Sequence, residues 1–258
     1  EMYGCGNCNI MIKSSKSEAS AYNIWLVDSN DYPYNENGER MQGYDCIHKD
    51  QLDWYEKTAE RLKKQNNGKP LPSILFQHIP VVQEMDAVEE TTADCPDALY
   101  EKGENKYYKL KEEYRISGEM KELPSPPGNG DRTQFELWIK HGDVKAAFFG
   151  HDHVNNFSVD VDGVTAVSVP GTTFKSYSSV TDQGSMVITL DEKDLSTYST
   201  ENLYTSDLAV KDGSNIPNQE HSETVAGYRF RIVLRHLAHG ILALLRGIYA
   251  WLPSPLGK

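Results

Sequence analysis

Three short apolar runs frame the chain, and each stops abruptly at a polar turn. Residues 21–27 (Ala-Tyr-Asn-Ile-Trp-Leu-Val) predict a buried strand that meets the loop Asp28-Ser29-Asn30-Asp31. Residues 73–76 (Ser-Ile-Leu-Phe) predict a second strand, which delivers Gln77-His78-Ile79-Pro80, where the proline bars regular continuation. Residues 144–149 (Val-Lys-Ala-Ala-Phe-Phe) predict a third, running directly into Gly150-His151-Asp152-His153. Between the first two, residues 50–64 place Leu52, Tyr55, Ala59 and Leu62 at helical spacing, with Asn66-Asn67-Gly68 as the stop before Pro70. Phe135, Leu137, Trp138 and Ile139 mark another helix ahead of the third strand.

Elsewhere the pattern changes. Residues 157–161, 164–169, 185–190 and 195–200 alternate well enough to be strands, joined by turn pairs such as Asp162-Gly163, and they predict an antiparallel set. Residues 83–131 carry no sustained apolar period, and contain Glu89-Glu90 and the run Pro124-Ser125-Pro126-Pro127-Gly128-Asn129-Gly130. They predict a long insertion or rim loop with one short helix near residues 107–114.

Beyond residue 208 the chain turns polar, which predicts a linker over 209–224 and a separate tail over 225–258. In the tail Phe230, Val233, Leu234, Leu237, Ile241, Leu244, Leu245, Ile248 and Leu252 share one helical face, and Arg231, Arg235, His239 and Arg246 gather on the other. This predicts a basic amphipathic helix. Its charges disfavour a transmembrane span and leave a peripheral membrane contact, a protein contact or an extraneous tail open.

Composition narrows the picture. At 258 residues with a formal net charge of −12, the main body is poorly suited to broad nucleic-acid or anionic-membrane binding. Four scattered cysteines are too few for a disulfide scaffold, so the fold rests on its core and the compartment stays open. The start, Glu1-Met2-Tyr3-Gly4-Cys5-Gly6-Asn7-Cys8, is not a secretory signal, and it leads almost at once into sheet-like sequence. The expectation is a fragment of a longer chain. Cys5 and Cys8 form a lone C-x-x-C, with Cys46 and Cys95 far away, which favours ordinary thiols or a local disulfide over a metal site. His48, His141 and His221 read as surface or helix-end histidines.

The chemistry lies at two strand ends. An apolar strand that stops at a histidine is a rigid platform for a ligand nitrogen, and His78 and the pair His151 and His153 both occur this way. The alternate histidines of one loop could reach two adjacent metals, with His78 closing the site from a neighbouring strand. Imidazole with carboxylate suits Zn, Fe or Mn. Taken singly, each is more often a satisfied loop histidine; the three together predict a metal centre.

Phe76-Gln77-His78-Ile79-Pro80 and the long run from Asp143 through Gly150-His151-Asp152-His153-Val154-Asn155-Asn156-Phe157 resemble motifs of the calcineurin-like metallophosphoesterases, in their purple acid phosphatase-like branch. Tyr44-Asp45 with the helix bearing Gln51, Leu52, Trp54 and Tyr55, and Leu123-Pro124-Ser125-Pro126, are similar to the same branch, over about residues 1–200. The resemblance implies an α/β fold, the C-terminal half of a four-layer α/β/β/α sandwich over residues 1–208. It also implies a centre of two divalent or trivalent metal ions acting on a phosphate-ester substrate. By it, His78 and His151 would bind one metal and His153 the other; Asp152 would be a neighbour without a ligand role, and no residue is given a catalytic one. The family's earlier motifs, an Asp-x-His, a Gly-Asp and a Gly-Asn-His-Asp or Gly-Asn-His-Glu turn, are missing, so half a site and impaired activity are expected. The alternative is a non-catalytic binding module that kept the fold.

Overall fold

The computed structural model describes residues 2–173, 176–179 and 182–207. The predicted linker and amphipathic tail lie outside them, as does His221. Twelve strands and two α-helices are placed: β1 (Cys8–Lys13), β2 (Ser20–Leu26), α1 (Lys49–Gln65), β3 (Ser73–Gln77), β4 (Val88–Thr91), β5 (Leu99–Glu101), β6 (Lys106–Leu110), β7 (Arg115–Ser117), α2 (Thr133–His141), β8 (Val144–Phe149), β9 (Ser158–Val161), β10 (Val164–Ser168), β11 (Gly184–Asp191) and β12 (Asp194–Tyr204). A 3₁₀ turn covers Val82–Ala87.

A mixed seven-stranded sheet organises the molecule, in the order β1-β2-β3-β8-β10-β9-β7. Strands β2, β3, β8 and β10 pair in parallel at its centre, and antiparallel strands complete both flanks. The parallel strands are buried on both faces, which is why they read as unbroken apolar runs. Their alternation divides two cores. Trp25, Leu75, Ala147 and Ala166 stand in register across the sheet on one side, against Tyr55, Ala59 and Leu62 of α1 and Phe135 and Trp138 of α2. Phe76, Phe148 and Val167 form the opposite row, packed with Met186, Ile188, Leu195 and Tyr198 of the β11–β12 hairpin. The described residues therefore stack helices, large sheet and hairpin.

Local sequence explains the helix ends. At the start of α1 the backbone N–H of His48 donates to the Gln51 side chain at 3.0 Å, with Asp50 in the first turn and Lys63 and Lys64 in the last, matching the helix dipole. Helix α2 closes on Gly142 at φ 68°, a left-handed cap that glycine adopts without steric cost. His141 ends α2 as expected, although it is buried beside Glu56 and Glu60.

Three expectations are corrected. The predicted helix near residues 107–114 is strand β6, which pairs with both β4 and β5 in a separate three-stranded sheet. Adjacent Tyr107 and Tyr108 suit a pleated surface, and Asn105 at φ 56° supplies the turn that precedes them. The predicted antiparallel set is also split, because β10 pairs with β9 antiparallel and with β8 parallel, leaving only β11 and β12 as a separate hairpin. The sheet-like sequence expected near the start is strand β1, which lies at the edge of the sheet and is largely exposed. All four cysteines are free thiols, so no local disulfide joins Cys5 and Cys8.

Candidate metal centre

The C-terminal ends of parallel strands form the customary crevice of open α/β sheets, and β3 and β8 deliver His78 and His151 there. Their ladder runs one step past the strands, with the N–H of Gly150 donating to the His78 carbonyl at 3.1 Å. The side chains then meet. Nδ1 of His151 lies 3.2 Å from Nε2 of His78, and the rings stand nearly perpendicular at 83°. Packing around the rings, then the neighbouring imidazoles, lowers the pKa of His78; packing and His153 do the same for His151. Both shifts favour the neutral imidazole, and the contact between the rings is a hydrogen bond whose direction follows the tautomers.

Gly150 itself is not forced by strain. It does not lie among the positive-φ glycines, and a Cβ there would meet His78 Nδ1 at an ordinary 3.8 Å. The tight approach is at Gly171, where a Cβ would come within 3.0 Å of the His153 Cβ.

His153 does not join the other two. Its ring lies flat on Tyr177, with centroids 4.5 Å apart and 9° between planes, and its Nδ1 donates to the Tyr177 carbonyl at 2.9 Å. Asp152 points inward rather than to solvent: it is buried, its carboxylate accepts the Ser125 N–H at 3.2 Å, and burial raises its pKa. Asn155, fully buried, locks the loop from below, its amide oxygen accepting from Lys121 N and Glu122 N and its amide nitrogen donating to Glu122 O.

Other participants carry weak sequence signals. Tyr44 meets His151 edge-on at 4.3 Å, Tyr32 stacks on Tyr44 at 5.6 Å, and the Arg40 guanidinium lies 3.2 Å from the Tyr32 ring centroid. Glu122 holds the loop that carries His151 and His153 from another side, accepting Val154 N–H at 3.3 Å and the Tyr177 hydroxyl at 3.0 Å. Glu84, fully buried, accepts from Ser168 Oγ, and burial followed by the nearby Asp152 pushes its carboxyl up to about 8.

The donors fit part of a metal site. Two nitrogens bound to one ion at about 2.1 Å each sit roughly 3 to 3.4 Å apart, and His78 and His151 meet that condition. Among the described residues, no group of three His, Cys, Asp or Glu side chains is placed to hold an ion. The imidazole pair is formed; a full shell is not.

No family model matches the chain. Two curated proteins of Arabidopsis thaliana are similar to it. "Probable inactive purple acid phosphatase 29" is 29% identical over 174 residues, covering 62% of this chain and 37% of its own length. "Probable inactive purple acid phosphatase 14" is 26% identical over 192 residues, covering 69% and 40%. The chain is similar to proteins of the purple acid phosphatase-like branch of the calcineurin-like metallophosphoesterases. It spans about two fifths of the length of these relatives. A dimetal phosphatase from Danio rerio superposes loosely, at TM-score 0.36 and 12% identity over 64% of this chain and 49% of that one. In this chain the large mixed α/β sheet is the scaffold on which the His78 and His151 pair is mounted.

Proposed function

We propose that this chain contributes ligands to a two-metal centre that hydrolyses phosphate esters. The observation that supports it most is the approach of His78 and His151 from adjacent parallel strands, both neutral and nitrogen to nitrogen at 3.2 Å. Those two would hold one ion, and His153, through Nε2, would hold a second. When bound, the metal pair supplies charge for the phosphoryl oxygens and lowers the pKa of water toward about 7. The protein's part is to fix the imidazoles on rigid strand ends and to keep Asp152 turned into the fold. Zn, Fe or Mn suits the donors, and the substrate class is phosphate monoesters or diesters.

Residues 1–208 are read as metallophosphoesterase fold, with β11 and β12 beginning the second sheet of a four-layer α/β/β/α sandwich. Residues 209–224 are read as linker and 225–258 as an amphipathic helix for a membrane surface or a protein. Carboxylate ligands would come from segments outside the described residues. A non-catalytic binding module is the second reading, favoured by the incomplete donor set and by the word "inactive" in both relatives' names.

Metal content and aryl phosphate hydrolysis by a longer parent carrying the earlier motifs separate the two. The catalytic reading expects bound metal and turnover, abolished by His151→Ala and by His153→Ala. Bound metal without turnover favours the binding module, and a parent without metal overturns the catalytic reading.

A further inference from the structure

His153 is held by a device that neither its sequence neighbours nor the His78–His151 pair supplies. A carbonyl can only accept, so the 2.9 Å contact to the Tyr177 carbonyl places the imidazole proton on Nδ1 and leaves the lone pair on Nε2. The same tyrosine covers one face of the ring, 4.5 Å away and 9° from parallel. Its hydroxyl accepts the backbone N–H of His153 at 3.4 Å and donates to Glu122 Oε1 at 3.0 Å. Glu122 in turn takes the N–H of Val154, the residue after His153, at 3.3 Å. One tyrosine thus fixes the ring's plane, its tautomer and its backbone, and one carboxylate fastens that tyrosine to the loop it serves.

Burial does not explain the arrangement. Tyr177 is 54% exposed, so packing returns little for ordering its side chain. Gly171 completes the cradle by donating its N–H to the His153 carbonyl at 2.9 Å, where a side chain would press on the His153 Cβ.

We propose that Tyr177 and Glu122 are positioning residues that hold His153 in its Nδ1–H form with Nε2 presented as a ligand atom. This rests on the reading of His153 as a metal ligand given above. A partner that fixes the distal imidazole proton is the usual means of orienting a ligand histidine, and its loss costs about 10- to 100-fold in metal affinity.

The test uses the metal-free full chain labelled with ¹⁵N at histidine, with ring nitrogen shifts read by NMR, followed by Zn²⁺ titration. Wild type is expected to show His153 as the Nδ1–H tautomer. Tyr177→Ala keeps the backbone carbonyl but removes the stacked ring and the hydroxyl that hold it against Nδ1, so the Nδ1–H preference should fall and Zn²⁺ binding weaken by about 10-fold or more. Glu122→Gln, which keeps an acceptor oxygen, should retain the wild-type tautomer, and Glu122→Ala should not. Tyr177→Phe, which keeps the stack and loses the hydroxyl, should fall between. An Nε2–H tautomer in wild type overturns the proposal, as does a Tyr177→Ala protein with unchanged tautomer and unchanged Zn²⁺ affinity. A chain that binds no Zn²⁺ yet shows the Tyr177-dependent tautomer supports the clamp and overturns the metal reading instead.

Discussion

His151 and His78 face each other nitrogen to nitrogen at 3.2 Å, although 73 residues separate them in sequence. The sheet creates this proximity. Strands β3 and β8 are parallel neighbours, and their ladder holds until Gly150, one residue before the second imidazole. Two imidazole nitrogens this close suit a cation that takes the place of the proton between them. His78→Ala and His151→Ala are each expected to remove the same Zn²⁺ equivalent, and the double variant should lose no more than either single one. Calorimetric titration checks this; additive losses in the double variant would mean that the residues serve different ions.

Tyr44 braces the pair from the side. Its ring meets His151 edge-on at 4.3 Å and 83°, with Tyr32 stacked behind it. Tyr44→Ala should free the His151 ring and weaken Zn²⁺ binding by about 10- to 100-fold, the usual range for an outer partner of a ligand. Tyr44→Phe preserves the aromatic edge and should bind as wild type does. Equal weakening in both variants would shift the role to the hydroxyl.

Much of this was legible beforehand because it follows from local pattern. The predicted strand at residues 144–149 matches β8 to the residue, and the predicted helix at 50–64 lies within Lys49–Gln65. His78 and His151 could be found because each follows directly on an apolar run. The partners of His153 could not. Tyr177 is 24 residues beyond it, and Glu122 is 55 residues before Tyr177 in a stretch without apolar period, so only the fold joins them. Strand β6 was misread for a related reason, since its pairing with β4 and β5 is a tertiary fact that outweighs weak helical spacing.

At the opposite end of β8 from the site, Asp143 gathers a buried network. Its carboxylate accepts from Trp25 Nε1 at 2.9 Å, Ser73 Oγ at 2.9 Å and the Tyr55 hydroxyl at 2.6 Å. These bonds join α1, β2 and β3 at the entrance to β8. Asp143→Ala would strand the buried Tyr55 and Ser73 hydroxyls, each costing about 1 to 3 kcal/mol when unsatisfied, while Trp25 Nε1 keeps Ser73 Oγ at 3.1 Å. A loss on the order of 3 kcal/mol or more in urea unfolding is expected, with Asp143→Asn losing less. A loss below 1 kcal/mol for the alanine variant would show that water or rearrangement satisfies the network.

Edge strand β1 offers a different kind of test. Among the described residues it pairs only with β2, and it exposes Ile10, Met11 and Ile12. An apolar sheet edge is a template for strand addition, and charge on it is the usual protection. Ile10→Lys with Ile12→Lys should reduce self-association in analytical ultracentrifugation without altering the circular dichroism spectrum. Unchanged association would move the sticky surface elsewhere.

Glu84 gives the protein a predicted pH signature that is separate from the histidines. Its carboxyl, buried and held by Ser168, loses its proton in the folded state only near pH 8, whereas in the unfolded chain it does so near its ordinary value of 4.5. Across that window the folded state binds more protons, so stability falls as pH rises and levels off above about 8. At roughly 1.4 kcal/mol per pKa unit, the contribution is on the order of a few kcal/mol. Glu84→Gln keeps an acceptor for Ser168 and cannot ionise. Its unfolding free energy should therefore exceed that of wild type increasingly from pH 5 to pH 8, as read from urea denaturation at each pH. Parallel curves for the two proteins would mean that Glu84 ionises in the folded state at its ordinary value, with water or a displaced neighbour compensating its charge.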